Sequence, residues 1–147
     1  TLAGFVARTI VDAEPKYLYN KGFSKAQVLF NFRPFLRSYS RIVLVEGIFD
    51  AIRVGPLGVA LLGSFISNTQ LSLLLEHLSP ETTVYVMLDE DARAKALEVA
   101  RRTSSFFETK VVFLDKGDPA DYTREELLAE LNTAEPYSIY TYEKLLI

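Results

Sequence analysis

The run Arg41-Ile42-Val43-Leu44-Val45-Glu46-Gly47-Ile48-Phe49-Asp50 decides the fold. Four consecutive apolar residues, each β-branched or leucine and bounded by polar neighbours, read as a strand buried on both faces, the habit of strands inside parallel sheets. Glu46 follows at once. Burying a lone carboxylate is costly, so Glu46 is expected at the exposed carboxyl end of the strand, where open α/β sheets place their ligand sites. Gly47 permits a tight turn, and Phe49, Ile52 and Val54 predict a short helix. Asp50, four residues beyond Glu46, then returns to the same side.

Some forty residues on, Thr83-Val84-Tyr85-Val86-Met87-Leu88 makes another apolar strand, and it ends in Asp89-Glu90-Asp91. Lys110-Val111-Val112-Phe113-Leu114 is a further core strand, followed by a loop in which Asp115, Asp118 and Asp121 surround Gly117 and Pro119. Taken singly, acids at strand ends and helix starts do no more than complement helix dipoles. Taken together, three acidic strand ends form one rim whose carboxylates repel one another unless a hard cation lies between them, and Mg²⁺ takes one or two carboxylates plus substrate phosphates.

Between these poles, Gly55-Pro56-Leu57-Gly58 turns into a strand over Val59–Leu62. Ser67-Asn68-Thr69-Gln70 is a capping box that opens a helix running to His77, with Leu71, Leu74, Leu75 and Leu78 at helical spacing. His77 reads as a surface histidine. Ala92 to Phe106 predicts an amphipathic helix, and Thr123-Arg124-Glu125-Glu126 caps another that runs through Leu131. Strands alternating with helices give an α/β domain with a mostly parallel four-stranded sheet flanked by helices, over residues 41–135.

Residues 1–40 read as a small basic subdomain with a strand over Phe5–Val11, a short strand at Lys16–Tyr19 and a helix over Phe35–Tyr39 after Pro34. Residues 136–147 form an apolar, aromatic tail that packs on the body or docks on a partner. The net charge of −3 hides a split. Residues 1–41 hold seven Lys and Arg against two acids, hence +5; residues 42–147 hold nine against 17, hence −8. That asymmetry suits a polyanion at the basic part. The plainer alternative is an unevenly charged solvated surface. No cysteine and a single histidine exclude disulfides, thiolate zinc sites and histidine-rich metal sites, so any metal is oxygen-bound. No signal peptide or long apolar span is present, which leads us to expect a cytoplasmic protein without membrane contact; the opening on Thr1 suggests a segment of a longer chain.

Glu46 after the first strand, with Asp89 and Asp91 in an Asp-x-Asp after a later one, resembles the Toprim domain, shared by bacterial-type primases, type IA and type II topoisomerases, overcoming-lysogenisation-type nucleases and recombination mediator proteins. Val45-Glu46-Gly47-Ile48-Phe49-Asp50 is similar to the primase version, with an aspartate four residues after the glutamate, and so is Ala60-Leu61-Leu62-Gly63-Ser64. Topoisomerases usually place Asp-Ser-Ala after the glycine; this chain does not. Gly4-Phe5-Val6-Ala7-Arg8, Pro15-Lys16-Tyr17-Leu18, Phe23-Ser24-Lys25 and Val28-Leu29-Phe30-Asn31 resemble the segment that precedes the Toprim fold in primases. Asp118-Pro119-Ala120-Asp121 resembles their Asp-Pro metal loop, although many bacterial primases space the two aspartates by two residues and not three. Ala92-Arg93-Ala94-Lys95-Ala96 lacks the Ala-Gly of many cellular primases and looks like phage or plasmid relatives. No zinc-binding module or helicase motor is present in the sequence.

The resemblance implies a primase core that makes short primers on single-stranded DNA from nucleoside triphosphates, in a bacterial cell or a phage-infected host. It implies Mg²⁺ or Mn²⁺ held by Asp89, Asp91 and Asp118, with Asp121 as a further ligand, Asp50 as a ligand or as the residue that orients Glu46, and Glu46 as ligand or general base. Arg8, Lys16 and Lys25 would face template or triphosphate. A replicative helicase or a separate zinc-binding, template-reading module would be the partner. The same acids suit a metal-dependent nuclease, and a nucleic-acid-binding or assembly module without chemistry is the alternative outside the enzymes.

Overall fold

A computed structural model of the chain describes residues 4–138 together with Glu143, so the expected tail lies outside the described residues except for 136–138 and 143. Two sheets form. The smaller pairs β1 (Val6–Arg8) with β2 (Tyr17–Tyr19) in an antiparallel ribbon. The larger has the order β4-β3-β5-β6-β7, with β3 (Arg41–Val45), β4 (Gly58–Ala60), β5 (Thr83–Val86) and β6 (Thr109–Val111) mutually parallel. The decisive run is the second strand of this sheet: Ile42, Val43, Leu44 and Val45 have no exposed surface, as parallel strands covered on both faces require.

The sheet has five strands, not the expected four. β7 (Glu135–Pro136) adds antiparallel to β6, with Val111 opposite Glu135 and Lys110 opposite Pro136. Two residues leave no periodic pattern to read, and Pro136, which cannot donate to a ladder, belongs on such an edge. The Tyr137 N–H extends the pairing by donating to the Thr109 carbonyl at 2.8 Å.

Helices cover both faces. Ile42, Leu44, Val84 and Val86 pack with Leu74 of α2 (Asn68–His77) and with Ala96, Leu97 and Ala100 of α3 (Arg93–Thr103). Val43, Val45, Tyr85 and Met87 pack on the opposite face with Ala51 and Val54 of α1 (Ile48–Val54) and Leu127 of α4 (Arg124–Glu130). Both predicted capping boxes close: the Ser67 hydroxyl accepts from the Gln70 N–H at 3.0 Å, and the Thr123 hydroxyl from the Glu126 N–H at 3.2 Å. Residues expected to be helical at Phe35–Tyr39 form a 3-10 turn over Pro34–Ser38, which buries Leu36 in the first of these cores.

The segment after the ribbon is tied to the sheet. Phe30 bridges Ala60 antiparallel, covering the open side of β4, and the Asn31 amide donates to the Gly58 carbonyl at 2.8 Å. Lys25 sits in a 3-10 turn, Lys25–Gln27, against the start of α2.

Candidate active site

The carboxyl ends of β3, β5 and β6 are neighbours, so their three acidic loops share one rim. A cleft of about 380 Å³ opens there, lined by Glu46, Asp50, Asp89, Asp118 and Asp121 from the body and by Arg8, Lys16 and Tyr17 from the ribbon. Asp91 lines an adjoining hollow of about 250 Å³ together with Asp89, Asp118 and Asp121. Lys25 lines a third, of about 240 Å³, with Glu46, Gly47, Tyr17 and Tyr19. All nine residues singled out in the sequence therefore face one connected set of hollows.

Each acid is held differently. Asp50 is 7% exposed, and its Oδ2 accepts from the Gly47 N–H at 2.8 Å, capping α1. Burial pushes its pKa up to about 6; the Gly47 and Ala120 N–H groups pull the other way, while the charges of Asp118 and Glu46 push further up. Asp89, at the end of β5, is raised to about 7, first by burial and then by the charges of Glu46, Asp50, Asp118 and Asp91. Asp118 accepts from the Ala120 N–H at 2.9 Å, and Asp121 reaches back to the Asp118 N–H at 3.2 Å, so both acids also shape their own 3-10 turn over Pro119–Asp121.

The cations are ordered by aromatic rings. The Arg8 guanidinium lies 4.6 Å from the Phe49 ring centroid and 5.5 Å from that of Tyr17, and the Lys25 ammonium lies 4.2 Å from that of Tyr19. Phe49, expected among the apolar residues that make α1, is 42% exposed and belongs to the cleft. Glu90 has a role the sequence did not reveal. Its carboxylate accepts from the Gly117 N–H at 3.2 Å while its own N–H donates to the Gly117 carbonyl at 3.1 Å, clasping the Asp89–Asp91 loop to the Asp118 loop.

The donor set suits a hard divalent ion. One oxygen of Asp89, Oδ1, is buried without a hydrogen-bond partner, an arrangement that is costly unless something else satisfies it. Among the described residues no three His, Cys, Asp or Glu side chains converge closely enough to enclose an ion by themselves. Mg²⁺ commonly completes its shell with water and phosphate oxygens, so one or two carboxylates suffice.

No family model matches the chain. Curated relatives do. The DNA primase of Staphylococcus epidermidis is 32% identical over a 140-residue alignment that covers 84% of this chain and 23% of that protein. That of Aquifex aeolicus is 32% identical over 137 residues, covering 83% and 27%. Among solved structures, the zinc-binding and RNA polymerase domains of the Aquifex aeolicus primase superpose with a TM-score of 0.72 at 27% identity, over 92% of this chain and 38% of that one. The chain corresponds to a core segment of the DNA primases. The DnaG primase catalytic domain bound to ssDNA has the same fold, with a TM-score of 0.73 at 23% identity over 97% of this chain and 50% of that one. This primase segment spans about a quarter of the curated relatives it matches. Among its described residues no helix is long and apolar enough to cross a membrane.

Proposed function

We propose that this chain is the nucleotidyl-transfer core of a primase of the Toprim type, joining nucleoside triphosphates into a short primer on single-stranded DNA. The observation that carries the reading is the facing of Glu46, Asp50, Asp89, Asp118 and Asp121 by Arg8 and Lys16 across one cleft, a place where a metal-bound triphosphate meets both charges it needs. Asp89, Asp91 and Asp118 would hold Mg²⁺ or Mn²⁺, with Asp121 and Asp50 beside them. When bound, such ions neutralise the triphosphate and the charge that develops as a 3′-oxygen attacks the α-phosphorus.

This chain's own residues do the rest. Asp50, tied to the Gly47 N–H, fixes the turn that aims Glu46. Glu46 binds the ion or takes the proton of the attacking hydroxyl. Arg8, braced between Tyr17 and Phe49, and Lys16 grip phosphate from the opposite wall, and Lys25 does so from the neighbouring hollow. Template choice would fall to a zinc-binding module or helicase partner, and the setting would be the cytoplasm.

Labelled nucleotide incorporation on mixed-sequence single-stranded DNA with Mg²⁺ or Mn²⁺, compared with Asp89→Asn, tests the reading. Short products that fall at least about a hundredfold in the variant are expected, the scale on which loss of one charge-stabilising group acts. Strand breakage in place of extension would make the chain a nuclease. Retention of product by the variant would remove Asp89 from the chemistry.

A further inference from the structure

Gln70 sits in the first turn of α2, is 1% exposed, and does more than its helix requires. Its Oε1 accepts from the Ser67 N–H at 3.0 Å, which completes the capping box. A cap of this kind needs an acceptor only: at α4 the same position is held by Glu126, whose Oε2 accepts from the Thr123 N–H at 2.7 Å and which has no donor when ionised. The donor end of Gln70 is therefore free for something else. Its Nε2 lies 2.7 Å from the Leu61 carbonyl, 2.9 Å from that of Val28 and 3.1 Å from that of Lys25. The Ser67 hydroxyl adds a bond to the Ala26 carbonyl at 2.5 Å.

Those carbonyls belong to two separate segments, each of which reaches the wall of one hollow. Lys25 stands on one wall, in a three-residue 3-10 turn with no buried residue and no side-chain cap of its own. Leu61 leads directly into Leu62 and Gly63, which form the other wall around Glu46, and Leu62 holds a left-handed φ of 61° that a branched residue adopts only when its surroundings impose it. We infer that Gln70 is a positioning residue: its one amide sets the Lys25 turn and the Leu61–Gly63 turn in register, and so fixes the spacing of Lys25 from Glu46. The inference rests on the reading of Lys25 as a phosphate-binding residue, and it takes Gln70 to touch neither substrate nor metal.

The test pairs Gln70→Met, close in volume but without the donor or the capping acceptor, with Lys25→Ala, singly and together. Two quantities are read: affinity for a non-hydrolysable nucleoside triphosphate with Mg²⁺, and hydrogen-exchange protection of the Gln27 and Phe30 amides against those of Val43 and Met87 in the core. Either single substitution is expected to weaken binding roughly tenfold, and Lys25→Ala to add less than about twofold once Gln70 is gone, the non-additivity of groups acting through one contact. Protection should fall at Gln27 and Phe30 and hold at Val43 and Met87. A full, additive cost of Lys25→Ala in the Gln70→Met background overturns the inference, as does unchanged protection of the turn. Lost protection with no effect of Lys25→Ala on binding sustains the anchor and removes Lys25 from the nucleotide, so the two failures are distinct. Ser67→Ala, which deletes only the Ala26 contact and the hydroxyl cap, gives a smaller shift in the same readouts and serves where Gln70→Met does not fold.

Discussion

In β3 the side chains from Ile42 to Val45 are wholly buried, whereas the β1–β2 ribbon leaves Leu18 59% exposed and Phe5, just before β1, is 63% exposed. The β3 strand lies between two neighbours and under helices on both faces; in the ribbon each strand pairs with one partner, and none of its residues joins either hydrophobic core. A lone two-stranded ribbon is marginal in water. The acids thus stand on stiff supports, and Arg8 and Lys16 on a light one. Repelling carboxylates have to be forced together, which takes a rigid frame, while cations that meet a polyanion gain from being able to adjust to it.

The largest expected effect breaks the frame. Leu44→Ala removes a fully buried side chain of the central layer and should lower stability by about 2–5 kcal/mol in urea unfolding. The crowded acids give the next effect. Asp89 at about 7 and Asp50 at about 6 hold their protons in the folded chain at pH values where the unfolded chain has released them. The contribution of these two groups to the stability of the metal-free protein should therefore be full below about pH 4, fall as the pH rises to about 7, and level off above that. Asp89→Asn should flatten most of this slope in thermal unfolding across pH. A stability that climbs over the same interval would show that the carboxylates are not crowded.

On the ribbon the effects shrink. Arg8→Ala should weaken single-stranded DNA binding several-fold and reduce the salt dependence by about one counterion, read from affinities at several ionic strengths. Leu18→Ala, on the outer face, should change stability by no more than about 0.5 kcal/mol. A large loss there would mean that the outer face of the ribbon contributes packing that the comparison with β3 denies it.

Much of this was legible in the residues. Glu46, Asp89 and Asp118 follow apolar runs, and the two capping boxes announce their helices locally. What escaped reading depends on distance along the chain or on solvent. β7 is two residues whose only signal is a pair of partners, Lys110 and Val111, in β6, with α4 lying between the two strands along the chain. Phe49 and Ile52 carry a helical spacing that says nothing of which side faces water, and Ile52 proves 55% exposed. Gln70 read as a cap because its local partner is three residues off, while its other partners lie 9, 42 and 45 residues away. Glu90 looked like one acid among three, and its bond to Gly117 spans 27 residues.

The bonds that fasten the segment after the ribbon bear on the order in which the molecule assembles. Phe30 waits for Ala60, Asn31 for Gly58, and the carbonyls of Lys25 and Val28 for Gln70, separations of 27 to 45 residues. During synthesis these residues leave the ribosome well before the partners that receive them, and loop closure offers them little until β4 and α2 exist. The segment that carries Lys25 is thus made first and finished last.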